Sequence, residues 1–144
     1  MKKILNSKAA GWAVIIVVAL LWRQFGPGLP ADVARSGDEI ASAFAQRQSD
    51  IMVEFKARVQ RVLADDKNGI PHQRFIVELD NGHTLLVAHN LDLASRIPLE
   101  PWSPIWIRGE YEWNEQGGVV HWTHRDPGMG LKHGWIEYKG QRYE

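Results

Sequence analysis

The 144-residue chain carries 17 basic and 17 acidic side chains and no cysteine, a length that fits one domain. Without cysteine there is no disulfide framework, thiolate zinc site, cysteine nucleophile or lipid-modified cysteine. The net charge of zero divides unevenly. Lys2, Lys3, Lys8 and Arg23 stand in residues 1–23 with no acid, leaving 13 basic against 17 acidic side chains in the rest, so the body of the chain lacks the broad positive field of a sequence-independent nucleic-acid binder.

The first element is an export signal. Lys2, Lys3 and Lys8 precede an apolar run from Ala9 to Trp22, and Arg23 with a Gly-Pro stretch follows it. A basic start and a short apolar centre match a secretory signal. As a helix the fourteen residues would reach about 21 Å, against a hydrocarbon core of about 30 Å, which argues for a signal peptide over a span. The cleavage chemistry argues the other way, because Leu21, Trp22 and Arg23 are poor residues for a cleavage site and Gly26/Gly28 or Leu29/Ala31 are little better. Lys8 and Arg23 could snorkel at either end of a thinned bilayer. Residues 1–23 are therefore expected to be a signal-anchor, with membrane contact through residues 9–22, or a signal peptide. The lysines hold that end in the cytoplasm. The domain then stands in the periplasm, anchored to the inner membrane or released into the periplasm or medium after cleavage.

Residues 24–50 read as a linker with a short helix. In "GDEIASAFAQRQSDI", Ile40, Ala43, Phe44 and Ile51 recur near helical spacing, and Ser36 or Asp38 could cap the start. Strand signals take over in residues 51–144. "VEFKARVQRVL" alternates Val53, Phe55, Ala57 and Val59 with Glu54, Lys56, Arg58 and Gln60. "QRFIVELD" and "HTLLVAHN" flank Asn81-Gly82, which favours a two-residue turn with positive φ at both positions. "LDLASRIPLEPWSP" is a connection with room for one helical turn, "IWIRGEYEWN" and "GGVVHWTHRD" flank a second hairpin, and "GWIEY" is a last short strand. Five or six antiparallel strands with no long intervening helix predict a mainly β fold, a small barrel of OB-fold type. An SH3-like barrel or small sandwich is the alternative.

Register decides how the busy stretch "GEYEWNEQGGVVHWTHRDP" is read. A four-residue loop Asn114–Gly117 pairs Trp113 with Gly118, Tyr111 with Val120, Gly109 with Trp122 and Ile107 with His124 on one face, with Gly109 making room for the Trp122 ring. Glu112 then pairs with Val119, Glu110 with His121 and Arg108 with Thr123 on the other. His121 and His124 fall on opposite sides of the ribbon, so "HWTH" is not a ready-made metal pair. A zinc or other divalent site would need His124 joined by Asp126 and His133, with His72 or His89 from elsewhere on the barrel. No metal ligand is assigned, and the cofactor stays unknown.

Taken together, "RVLADDKNGIPHQRFIVEL", "NGHTLLVAHNLDLASRIP", "GEYEWNEQGGVVHWTHRDP" and "HGWIEYKGQRY" resemble a family of small exported bacterial proteins known only as a domain of unknown function. The resemblance covers Phe55 to Tyr143 and implies a small β-rich exported domain with no established activity. It draws attention to His72, Gln73, Arg74, Phe75, His89, Asn90, Asp92, Glu110, Tyr111, Trp113, His121, His124, Asp126, Pro127 and Trp135. Pro101, Trp102, Ser103 and Pro104 stand where the family pattern has a Gly-Asp turn before the fourth strand.

The candidate binding residues are His72, Arg74, His89, Asn90, Asp92, Glu110, His121, His124, Asp126 and His133. His89, Asn90 and Asp92 form either a turn cap or part of a pocket. Asp65, Asp66 and Asn68 read as a solvated turn, since an EF-hand's spacing and terminal glutamate are missing. Lys56, Arg58, Arg61 and Arg74 are the one plausible basic stripe, with Phe75, Trp106 and Trp135 as stacking aromatics should it bind a single strand. Beside a structural or stress-related envelope role with no small-molecule site, two functions follow. One is an exported binding module for a polymer, a small ligand or an envelope partner. The other is a His-based or metal-assisted, nuclease-like hydrolase, with His121 or His124 as base, Arg74 or Arg125 stabilising an anion and Asp126 orienting a histidine.

Overall fold

The structure, a computed structural model, describes residues 31–128, 130 and 132–144; the expected signal or anchor at 1–23 and the membrane contact at 9–22 lie outside them. Among the described residues, one helix, α1 (Ala31–Ala45), precedes seven strands: β1 (Ile51–Val62), β2 (His72–Glu78), β3 (Thr84–Asn90), β4 (Pro104–Glu112), β5 (Val119–His121), β6 (Trp135–Tyr138) and β7 (Gln141–Tyr143). The sheet runs β1-β2-β3-β5-β4-β6-β7, and β1 also pairs with β4. Five strands therefore close into a barrel, with β6 and β7 continuing β4 outward. The barrel is mixed and not wholly antiparallel as expected, because β5 runs parallel to β3 through Leu86–Val119 and Val87–Val120.

Closure rests on β1. Its first part, Ile51–Arg58, pairs with Tyr111–Pro104 of β4, and its last part, Arg58–Val62, pairs with Glu78–Phe75 of β2. The register shift between Val59 and Arg61 leaves Gln60 as a bulge, the local kink that lets one strand turn from one partner to the other. The alternation read from sequence holds: Val53, Phe55, Ala57 and Val59 are buried, while Lys56 and Arg58 are exposed. They join Phe75, Val77, Leu85, Val87, Ile105, Ile107, Tyr111, Val120 and Ile136 in one core. Phe75 is thus a core residue and offers no stacking surface.

The helix plugs one end of this core. Ile40 and Ala43 are buried in it, and the Trp113 indole N–H donates to the Phe44 carbonyl at 3.1 Å. It begins earlier than its composition suggested, so positions 36 and 38 lie inside it and not at its start. It stops at Arg47, whose φ of 54° closes paired bonds from Gln48 N to Ala43 O and Arg47 N to Phe44 O. That is the left-handed helix stop more often filled by glycine.

Two turns differ from expectation. In the β2–β3 hairpin only Gly82 has positive φ. Leu79 N–H bonds to His83 O and Gly82 N–H to Leu79 O, so the loop is three residues, Asp80–Gly82, with a glycine bulge. Asn81 instead bonds both ways, accepting from His83 N–H and donating to the Gly37 carbonyl of α1. The last strand acquires a partner not read from sequence, β7, across a tight turn at Lys139 and Gly140, both with positive φ.

The β4–β5 register is as read for Glu110–His121, Tyr111–Val120 and Glu112–Val119, and fails on either side. Trp113 N–H donates to Ser49 Oγ instead of meeting Gly118. Trp122 turns out of the strand at φ 55°, so β5 ends at His121 and β6 takes over, pairing Ile107 with Ile136 and Arg108 with Trp135. Gly109 therefore makes room for something other than the Trp122 ring. A Cβ there would lie 2.5 Å from the His121 carbonyl oxygen and 2.7 and 2.9 Å from the Val120 and Thr123 side chains. Gly109→Ala is expected to destabilise the fold by about 2–3 kcal/mol through overpacking at the barrel seam, read as a lowered denaturant midpoint with an unchanged slope.

Candidate functional site

The sequence candidates separate into three groups. The first closes the barrel end opposite α1. There Gln73 clamps the β3–β4 connection, its carboxamide accepting from Ile97 N–H at 2.9 Å and donating to Ile97 O at 2.8 Å. His89, fully buried, bonds through Nε2 to the Ser95 carbonyl at 3.1 Å and through Nδ1 to the Thr123 hydroxyl at 2.8 Å. A carbonyl can only accept, so Nε2 carries the proton and Nδ1 accepts from Thr123. Asn90 caps the following turn, its side-chain oxygen accepting from the backbone N–H of Asp92 and Leu93, and Ala94 N–H closes the turn on Asn90 O. Asp92 itself is exposed.

The second group is the segment after β5. His124 is buried and its Nδ1 lies 2.7 Å from the Arg125 carbonyl. Asp126 caps its own turn through Gly128 N–H, and its backbone N–H faces His133 Nδ1 at 3.5 Å. Trp122 donates to Lys132 O. These side chains serve the path of the chain, and His124, Asp126 and His133 do not converge on one point. In the β1–β2 loop, Asp65 forms an ion pair with Arg96, Asp66 caps Asn68, and Arg74 donates to the Ala64 carbonyl. His72 sits half-buried where that loop enters β2, its backbone bridged to Asp66.

The third group lies on the outer face of β4 and β5. Glu110 and His121 are direct cross-strand partners, and Glu112 follows Glu110 on the same side. His121 Nε2 is 3.8 Å from Glu110 Oε1 and 3.6 Å from Glu112 Oε1. The Lys132 ammonium sits on the other oxygen of Glu110, which is 7% exposed. Among the described residues, Glu110, Glu112 and His121 are the group whose ligand atoms all fall within 4.8 Å of one another. Imidazole with carboxylates suits zinc or another first-row divalent ion. Alternation alone puts Glu112 beside Glu110, so it was findable from sequence. Lys132 arrives from the loop before β6 and left no local signal. Beside this trio the same outer side carries half-buried Leu86, Ala88 and Val119.

A further feature surrounds Trp106. Lys56, Trp106, Glu137 and Arg142 are successive cross-strand neighbours over β1, β4, β6 and β7. The Lys56 ammonium lies 4.7 Å from the Trp106 ring centre, Trp135 meets Trp106 edge-on at 5.3 Å, and the Arg142 guanidinium lies 4.2 Å over Trp135. Lys56, Trp106 and Trp135 were legible as basic and aromatic candidates; Arg142 and Lys139 were not.

With this geometry in place, the comparison of families is decisive over residues 27–144, which match the model described as protein of unknown function (DUF3465). The chain belongs to the DUF3465 family. No curated protein matches it at a significant level. The motifs noted in the sequence lie within the matched residues and have places in this fold. HQRF supplies the Gln73 clamp and the Phe75 core residue, AHN the His89 bond and the Asn90 cap, and GEYEWN the Glu110–Glu112 edge.

Burial lowers the His89 pKa from the ordinary 6.5 to about 4, helped by the neighbouring His124 and His72. The unfolded chain then takes up a proton below about pH 6.5 that the folded protein refuses until about pH 4, so His89 stabilises the fold fully above 6.5 and loses that contribution as pH falls through this window. The loss amounts to roughly 3 kcal/mol. A proton NMR titration of the His89 ring should give a midpoint well below 5, and urea midpoints should fall from pH 7 to pH 4.5; a ring titrating near 6.5 would remove the account.

Proposed function

We propose that this protein is an OB-like binding module, held on the periplasmic side of the inner membrane by residues 9–22 or released there after cleavage. The strand order of the closed barrel, the long bent first strand and the irregular β3–β4 connection support the OB reading. In that architecture the outer face around strands 2 and 3 takes oligonucleotides and oligosaccharides, an analogy of fold that sets the place to look and no more.

One observation carries the reading. The barrel's interior polar groups are spent on one another, with no buried side-chain nitrogen or oxygen lacking a partner among the described residues, while the outer face of β3, β5 and β4 sets Leu86, Ala88 and Val119 beside Glu110, Glu112, His121 and Lys132. An apolar strip bordered by both signs of charge suits recognition of a polymer or an envelope partner. NMR titration of the full chain in neutral detergent with a single-stranded oligonucleotide, a chitooligosaccharide and a peptidoglycan fragment should give saturable shifts on this face for at least one of them, reduced about tenfold or more in Leu86→Lys. Silence toward every polymer would remove the reading.

The second reading, a metal-assisted hydrolase, draws on the convergence of Glu110, Glu112 and His121. A cation there would compete with the Lys132 ammonium for Glu110. If the trio binds zinc or manganese, the metal should raise the thermal midpoint of the wild type, by the equivalent of about 2.7 kcal/mol at a hundred times Kd, and leave His121→Ala unmoved. An equal response in both proteins would place any bound metal elsewhere.

A further inference from the structure

We propose that the cleft between β1, the start of β4 and the β6–β7 turn binds a phosphate-bearing ligand, the phosphate held between Lys56 and Lys139 and its apolar or ring-shaped body lying on Trp106. The inference goes beyond the binding-module reading, whose face carries Leu86, Ala88, Val119, Glu110, Glu112 and His121. The cleft has a volume of about 440 Å³ and is lined by Lys56, Pro104, Ile105, Trp106, Glu137, Lys139 and Gly140, a size that suits a small ligand.

The charges in it are unequally matched. Glu137 is answered by Arg142 at 3.4 Å, so its repulsion of an anion is offset, and Arg142 is in turn fixed on the Trp135 ring. Lys139 leans on Glu100 at 2.9 Å, but both side chains are more than half exposed, and such a pair exchanges partners readily. Lys56 rests only on the Trp106 ring; among the described residues it makes no ion pair. Two compact ammonium groups thus flank an indole and a proline, one lacking a counter-charge and the other weakly held. Phosphate oxygens suit point-like ammonium donors, and the indole supplies an apolar floor for the body that carries them.

The phosphate could belong to a soluble polyol or sugar ester or to a phospholipid headgroup, and two probes separate these sources. The full ¹⁵N-labelled chain in neutral detergent is titrated with glycerol 3-phosphate and, separately, with dihexanoylphosphatidylglycerol, with glycerol as the uncharged control. Saturable shifts of the Trp106 indole N–H and the Gly140 amide are expected. A response to both probes marks the shared phosphate chemistry, to the lipid alone the headgroup source, and to glycerol phosphate alone a soluble ester. Lys56→Gln and Lys139→Gln, both exposed, should each weaken binding about tenfold, while Lys67→Gln in the β1–β2 loop leaves it unchanged. No saturable shift with either probe, or an equal response to glycerol, would overturn the proposal. Shifts confined to the Glu112–His121 face would also overturn it while leaving the binding-module reading intact.

Discussion

The architecture depends on one strand serving two partners. β1 spans Ile51–Val62, long enough to run along β4 and then, from Arg58 across the bulge at Gln60, along β2. Without that bend the sheet would stay open, with unpaired edges at β1 and β4. With it, Val53, Phe55, Ala57 and Val59 face an enclosed core, and alternation pushes Lys56 and Arg58 outward. The position of the Trp106 cleft follows from the same pairing, since Lys56 meets Trp106 because β1 lies on β4.

A barrel has two open ends, and different chemistry closes each. At one end α1 lowers Ile40 and Ala43 into the core, an apolar closure that requires no directional bonds. At the other the plug is polar: Gln73 and His89 tie down the β3–β4 connection, and Thr123 completes the His89 pair. Buried polar groups are costly unless every donor and acceptor is matched, and here they are matched. Several residues that look like chemistry in one dimension therefore do structural work, and the surfaces open to a partner lie on the barrel's outer wall.

What was legible followed physical periodicity. Two-residue alternation placed the buried positions of β1 and the central pairs of the β4–β5 hairpin, including Glu110 opposite His121. It failed where backbone torsion departs from the strand. Trp122 in left-handed conformation ended β5 early and let β6 take the rest of β4, so the predicted partners of Ile107 and Arg108 were replaced. The Asn81 side chain was drawn to α1 and to His83, and the hairpin became a three-residue loop. Lys132, Lys139 and Arg142 come from segments whose local composition gives no hint of what they will touch.

By itself the sequence determined the β-rich class, the rough strand boundaries and which face of each long strand turns inward, because apolar spacing and turn residues act locally. Only the tertiary structure decided that β5 lies parallel to β3, that β1 closes on β4, and that His89 is buried and neutral while His121 stands outside among carboxylates. Those outcomes depend on non-local pairing and on the burial of groups far apart in the chain, which residue type alone does not fix.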